Sequence, residues 1–247
     1  MIDINGVINS ENDSARKISD GLKNAYKDPN TRGIILRANS PGGSPVLSGM
    51  AYDEIRRQKT LHPDIPVLVA VEEVCASGCY YIASAADKIF ANQASIVGSI
   101  GVLSEGFGFT GAMEKLGIER RLATSGRDKG MGDPFSPQTE KQRAYAQTML
   151  DQIHRQFIDT VREGRGERLK ETPETFSGLF WNGEEAVKMG LADGLGNLDH
   201  VARDVIKAEE IIDYTPKENV AERLAKRFGA AIGEGAVRAL GGLPALR

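Results

Sequence analysis

Two turns in this 247-residue chain carry residue types suited to acyl transfer. In the first, Ala76-Ser77-Gly78 follows the apolar run at residues 67–71, and a stretch of small residues from Cys79 reads as a helix. A serine on such a strand-to-helix turn exposes its hydroxyl beside the positive end of the helix, as a nucleophile requires. The same position also suits a serine that only caps the helix. In the second, Ser40-Pro41-Gly42-Gly43 follows the run at residues 33–38. Adjacent glycines reach backbone conformations closed to other residues and leave amide N–H groups free to hold an oxyanion. A plain tight turn is the other use of the same residues. Together the turns supply a nucleophile, an N–H from Gly78 and an N–H from Gly43, the set that acyl transfer needs.

Parallel α/β sheets bring such turns to one edge, at the carboxyl ends of the strands. Alternation of short apolar runs with amphipathic stretches predicts that class here. Strands are expected at residues 1–8, 33–38, 66–71, 88–91, 101–103, 119–124 and 191–195, with a last one at 211–214. Helices are expected at 14–28, 46–60, 79–86, 109–116, 138–164, 182–190 and 198–207. The first carries Ile18, Leu22 and Tyr26 at helical spacing and is ended by Pro29; the long one carries Tyr145, Met149, Ile153 and Phe157. Residues 125–137 read as a polar, glycine-rich loop.

Composition narrows the function classes. Net charge is −3, so nucleic acid is not an expected partner. No run of about 18 apolar residues occurs, and no signal peptide is visible. Because the chain opens directly on a strand, an N-terminal segment with a membrane anchor is expected ahead of it in the natural protein. Cys75 and Cys79 read as two small buried hydrophobes rather than metal ligands or a bonded pair, which leaves the redox compartment open.

The order of motifs resembles the signal peptide peptidase A family, also called protease IV. The matching pieces are Asn39-Ser40-Pro41-Gly42-Gly43-Ser44, Ala76-Ser77-Gly78-Cys79-Tyr80-Tyr81-Ile82-Ala83 and Ala85-Ala86-Asp87-Lys88-Ile89. Val97-Gly98-Ser99-Ile100-Gly101-Val102 and Ser125-Gly126-Arg127-Asp128-Lys129 continue the series. Cys79 stands where the family often has glycine. The resemblance implies a Clp protease/crotonase-like fold, a superhelix of repeated ββα units with a mostly parallel sheet. It covers residues 1–207, the peptidase domain; beyond it, 208–247 reads as a C-terminal extension, a strand plus a helix with Val220, Leu224 and Phe228, expected to pack between subunits or to cross the active-site groove.

The family implies a Ser-Lys dyad, with Ser77 as nucleophile, Lys129 as general base and Ser99 hydrogen-bonded to the lysine amine. The oxyanion falls to the N–H groups of Gly43 and Gly78, and no metal or cofactor is needed. By itself Lys129 reads as a loop lysine in water. A free lysine has a pKa of about 10.4, so a base lysine must sit in a dry place without a close carboxylate. Asp128 and Asp133 must therefore point elsewhere, and Lys88 and Lys115 belong to the scaffold. Clp protease uses Ser-His-Asp instead, but His62, His154 and His200 fall in no matching motif.

Half-length family members form ring-like octamers in which neighbouring subunits supply the serine and the lysine, and the same is expected here. Substrates implied are residual signal peptides and other unfolded apolar peptides. The implied location is the inner membrane, with the catalytic domain on the extracytoplasmic side. The alternatives are a phage or cytoplasmic relative such as a capsid-maturation protease, a crotonase-type acyl-CoA enzyme with a carboxylate base, and a non-enzymatic membrane-organising scaffold.

Overall fold

A computed structural model describes residues 1–217. The first part of the chain alternates strands and helices: β1 (Ile2–Asn5), α1 (Ser14–Lys27), β2 (Ile34–Ser40), α2 (Pro45–Leu61), β3 (Val67–Ala76), α3 (Gly78–Ala83) and β4 (Lys88–Ala91). Each strand pairs in parallel with the one before it. Val67, Leu68, Val69, Ala70 and Val71 are all buried, because a central parallel strand is covered on both faces.

β3 is where the sheet forks. Its first half, Leu68 to Val71, pairs with β4, and its last three residues, Val74 to Ala76, pair with β5 (Ile96–Gly98). Glu72 and Glu73, between the two halves, are exposed. Further along come α4 (Thr110–Lys115), α5 (Glu140–Arg165), β6 (Phe180–Asn182), α6 (Gly183–Lys188), β7 (Gly194–Leu195) and α7 (Leu198–His200), which a wider helical turn continues through Val201–Ile206. β6 joins β5 antiparallel and β7 joins β4 parallel, which completes a seven-stranded, mostly parallel sheet. The expected α/β class is the one observed.

Three expected strands are absent. Residues 101–103 and 119–124 lie on an arm spanning 101–156, in which no residue is buried. An arm with no sheet edge beside it has nothing to pair with. Residues 211–214 run beside the start of β1, with Tyr214 N–H donating to Met1 O at 2.9 Å and the Met1 amine to Ile212 O at 2.7 Å, too few bonds to make a strand. Of the expected extension at 208–247, residues 208–217 form neither strand nor helix. Residues 218–247, including Val220, Leu224 and Phe228, lie outside the described residues.

α5 begins with a capping box between Thr139 and Gln142 and buries only Phe157, Val161 and Arg165. Its foot is fixed by Arg165, whose side chain is fully buried and donates to Gly190 O at 2.8 Å and to Asp193 at 2.9 Å. Asp193 also accepts from Ile89 N–H at 2.7 Å and from Arg168 at 3.1 Å, so one carboxylate joins α5, β4 and the approach to β7. Burial alone raises the Asp193 carboxyl. The donor and charge of Arg165, the Ile89 amide and the charge of Arg168 outweigh it and hold the group below the usual carboxylate range. A depressed carboxyl stabilises the fold above its unfolded-state pKa and loses that contribution as pH falls through its folded-state value. Asp193→Ala is expected to cost about 3 kcal/mol in chemical denaturation at pH 7, because Arg165 stays buried without its counter-charge. The variant's deficit relative to wild type should begin to shrink as pH falls below about 4, where the unfolded carboxyl protonates, and should vanish only at lower pH, where the native carboxylate protonates too.

Candidate active site

β3 ends in an elbow with Ser77 at its tip, at φ 52° and ψ −122°. A residue with a side chain is disfavoured at such angles and stays there only when its surroundings hold it. Ser77 N–H donates to Gly98 O on β5 at 2.8 Å, and Ser77 O accepts from Tyr81 N–H at 2.9 Å to start α3. A disulfide joins Cys75 to Cys79 across the elbow. The expectation of two unbonded cysteines is therefore corrected, although both are fully buried as expected. Along a regular strand, residues four apart sit about 13 Å from each other. The elbow brings these two Cα atoms to 5.1 Å, within disulfide range. The symmetric placement of the cysteines around Ser77 was the available sequence signal.

The second turn comes from the end of β2. Ile8 N–H donates to Gly42 O and Ser44 N–H to Ile8 O, each at 2.8 Å, so Ile8 and Gly43 form an isolated parallel bridge. Those bonds use the residues flanking Gly43, and the N–H of Gly43 itself faces the other way. It lies 3.2 Å from the point where Gly78 would carry a Cβ. Neither the Gly43 N–H nor the Gly78 N–H has an acceptor among the described residues. Gly42, at φ 101°, leans on the elbow so closely that a Cβ would lie 2.7 Å from both Ala76 O and Gly78 N. α2 starts at once, capped by the Ser44 side chain, which accepts from Leu47 N–H at 3.3 Å. Ser48, in its first turn, is fully buried and presents its hydroxyl 2.5 Å from the missing Gly78 Cβ. Nothing in the sequence distinguished Ser48 as part of this site.

Ser77, Gly43, Gly78 and Ser99 line one cavity of about 790 Å³, a size suited to a ligand. Val46, Tyr81, Leu103 and Phe157 form apolar parts of its wall, and no Asp or Glu among the described residues lines it. Ser99, at φ 51°, is fixed by its N–H donating to Leu179 O at 2.8 Å.

Lys129 does not line this cavity. It is exposed on the 101–156 arm, in a turn where its N–H donates to Gly126 O at 3.1 Å. Asp128 pairs with Arg127 at 3.3 Å and Lys141 at 3.7 Å. Asp133 accepts from Ser136 at 2.6 Å and pairs with Arg120 at 3.3 Å. The Lys129 amine has no carboxylate partner among the described residues. The histidines are engaged elsewhere: His62 stacks on Tyr26 with ring centroids 4.2 Å apart, His154 Nε2 lies 3.1 Å from Ile100 O, and His200 Nδ1 lies 2.9 Å from Asp204. None of the three lines the cavity of Ser77.

Comparison with known proteins agrees with the motif order. The profile of peptidase family S49 matches residues 59–211, a stretch containing Ser77, Gly78, Ser99 and Lys129. A Brucella abortus protein named "Na(+)/H(+) antiporter NhaA" is 44% identical over 177 residues, which are 72% of this chain but only 24% of that protein. A Methanocaldococcus jannaschii protein carrying the name "Putative protease" is 32% identical, covering 96% of this chain and 78% of its own. An Enterococcus faecium protein named "Putative signal peptide peptidase SppA" is 32% identical over 194 residues, 78% of this chain and 56% of that one. No helix among the described residues is long and apolar enough to cross a membrane.

The contact at Gly42 presses the first turn against the elbow. Gly42→Ala is expected to push the Gly43 and Gly78 amides apart and to slow labelling of Ser77 by a fluorophosphonate about 10²-fold, the cost of losing one oxyanion donor. Far-ultraviolet circular dichroism should stay at the wild-type signal, since the new methyl group meets the elbow and not the core.

Proposed function

The chain belongs to peptidase family S49, and on that premise we propose that it is a serine endopeptidase with Ser77 as nucleophile and Lys129 as general base. The observation that carries the proposal is the elbow, where Ser77 shares a cavity with Gly43 and Gly78, whose backbone N–H groups have no acceptor among the described residues. Ser77 Oγ attacks a peptide carbonyl while the lysine amine takes its proton. The two N–H groups hold the tetrahedral oxyanion, each lowering the barrier by about 2.7–4 kcal/mol. The lysine then protonates the leaving amine, and water repeats the sequence on the acyl-enzyme. Ser99, on the cavity wall beside the nucleophile, hydrogen-bonds the amine.

Because Lys129 lies outside the Ser77 cavity of its own chain, the dyad is completed between chains in a ring-like homo-oligomer, taken as an octamer. The arm supports this reading. It buries none of its own residues and exposes Leu103 at 78%, Phe107 at 82% and Leu116 at 73%, apolar surface that a neighbouring subunit would cover. The same contact would exclude water from the lysine, as a base lysine requires.

The substrates proposed are signal peptides left after cleavage and other unfolded apolar segments. The apolar wall of Val46, Leu103 and Phe157 fits such side chains, and the Enterococcus faecium relative bears a matching name. We place the catalytic chain on the extracytoplasmic side of the inner membrane, a compartment in which a Cys75–Cys79 disulfide persists.

Ser77→Ala and Lys129→Ala are each expected to lower kcat on an unfolded peptide by about 10³-fold or more. Rings formed from an equal mixture of the two variants should recover about a quarter of the wild-type rate, because one site in four then draws an intact serine and an intact lysine from neighbouring chains. No recovery in mixed rings would rule out a shared dyad. Full activity of Lys129→Ala alone would remove Lys129 from the mechanism.

A further inference from the structure

The disulfide lies around the nucleophile itself, with Cys75 two residues before Ser77 and Cys79 two residues after it. We propose that this bond is a positioning clamp for Ser77 and Gly78, and that the peptidase works at full rate only while the bond is formed. The inference rests on Ser77 being the nucleophile.

Both ends of the bond are anchored in rigid structure. Cys75 is fully buried in the sheet, opposite Ser40 on β2 and Val97 on β5. Cys79 is fully buried in the first turn of α3, whose Tyr80 hydroxyl donates to Leu191 O at 2.8 Å. The bond thus ties a fixed strand end to a fixed helix start. Only Ala76, Ser77 and Gly78 lie between them, and these include both the nucleophile and one oxyanion donor.

Ser77 also sits at φ 52°, where the backbone of a non-glycine residue tends to relax toward negative φ. Two hydrogen bonds resist that relaxation, from Ser77 N–H to Gly98 O and from Tyr81 N–H to Ser77 O. On the Gly42 side the elbow is met only by van der Waals contact. Without the disulfide, those two bonds and the Gly42 contact are left to hold the conformation of Ser77 and Gly78. The fold does not depend on the clamp, since the sheet pairing of Cys75 and the packing of α3 remain. The expected loss is therefore catalytic rather than structural.

Reduction is a two-electron step. A dithiol supplies two electrons and two protons, the Sγ–Sγ bond breaks to leave thiols on Cys75 and Cys79, and the dithiol closes to its own disulfide. Because both sulfurs are buried, exchange requires local opening of the elbow. A peptidase built this way is slack in a reducing compartment and set in an oxidising one.

The test uses the full chain in air and after treatment with dithiothreitol, with the thiol count read from intact mass after alkylation. Fluorophosphonate labelling of Ser77 and the kcat and KM for an unfolded apolar peptide are measured in both states. The air-oxidised protein should show no alkylated thiol. Reduction should lower kcat and the labelling rate by about tenfold or more, as expected for a displaced nucleophile. KM should change by less than about twofold, and reoxidation should restore the rate. A Cys75→Ser, Cys79→Ser double variant should stay at the lower rate and ignore the dithiol.

Two free thiols in the air-oxidised protein, or equal labelling and kcat in the two states, would overturn the clamp. Loss of the folded circular dichroism signal on reduction would also overturn it, by making the bond merely structural. If the double variant fails to fold, the comparison of oxidised and reduced wild type decides alone. Absence of labelling in both states would sink the nucleophile assignment itself, which separates that failure from failure of the clamp.

Discussion

Two backbone turns meet above the ends of β2 and β3 with no room for a side chain between them. A Cβ on Gly42 would press on Ala76 O and Gly78 N at 2.7 Å, and a Cβ on Gly43 would come within 2.8 Å of Ile8 N on the opposite side. The Pro-Gly-Gly turn is therefore held between the strand-like residue Ile8 and the serine elbow. The separation of the Gly43 and Gly78 amides follows from that squeeze and not from side-chain packing. Because β2 and β3 are parallel neighbours, with Ser40 opposite Cys75, the two turns emerge at the same height. The register shift between Ala38 and Ser40 sets one residue of β2 against Glu72, Glu73 and Val74 of β3, so the irregularity lies on β3, where the sheet forks.

The fork along β3 explains why the elbow sits where it does. A ten-residue strand that paired with β4 throughout would leave its last residues no reason to change direction. Pairing those residues with β5 instead provides Gly98 O as the acceptor for Ser77 N–H. β5 is in turn backed by β6, where Trp181 packs so close to Gly98 that a Cβ there would meet its ring at 2.7 Å. A half-buried aromatic ring and a missing side chain thus combine to fix the carbonyl that accepts from Ser77 N–H. At the other end, the Arg165–Asp193 pair anchors α5 to β4, and only the half of α5 beyond that anchor and the cavity is left without a core.

The parts of this site that were legible in the sequence are those determined by local chemistry. The apolar run at residues 67–71, the small residues around Ser77 and the double glycine each allow few structures. β5 and β6 were not anticipated, because three residues are too few to show a period and their pairing is set by the fork. The strands expected at 101–103 and 119–124 failed for the opposite reason. Their apolar residues, among them Leu103 and Leu122, do mark a surface that wants cover, but not a strand in this chain's sheet. The cysteine pair was misread because its partners meet only once the elbow has folded. Ser48 gave no signal, since a serine in a helix is ordinary until a backbone without a side chain is placed against it.

The arm gives these observations a common direction. A lysine amine in open water is almost entirely protonated at neutral pH and cannot accept the serine's proton. Lys129 is exposed, its nearest acidic neighbours in sequence are tied to Arg127, Lys141, Ser136 and Arg120, and none of the described residues buries the amine. On the proposed reading, burial has to come from the neighbouring subunit, through the apolar residues that the arm leaves uncovered. Covering Leu103, Phe107 and Leu116 would supply the free energy of association, and the same contact would remove water from the lysine. Assembly and activation then become one physical event. A single subunit would carry a formed oxyanion site and a set nucleophile, yet have no base able to start the reaction.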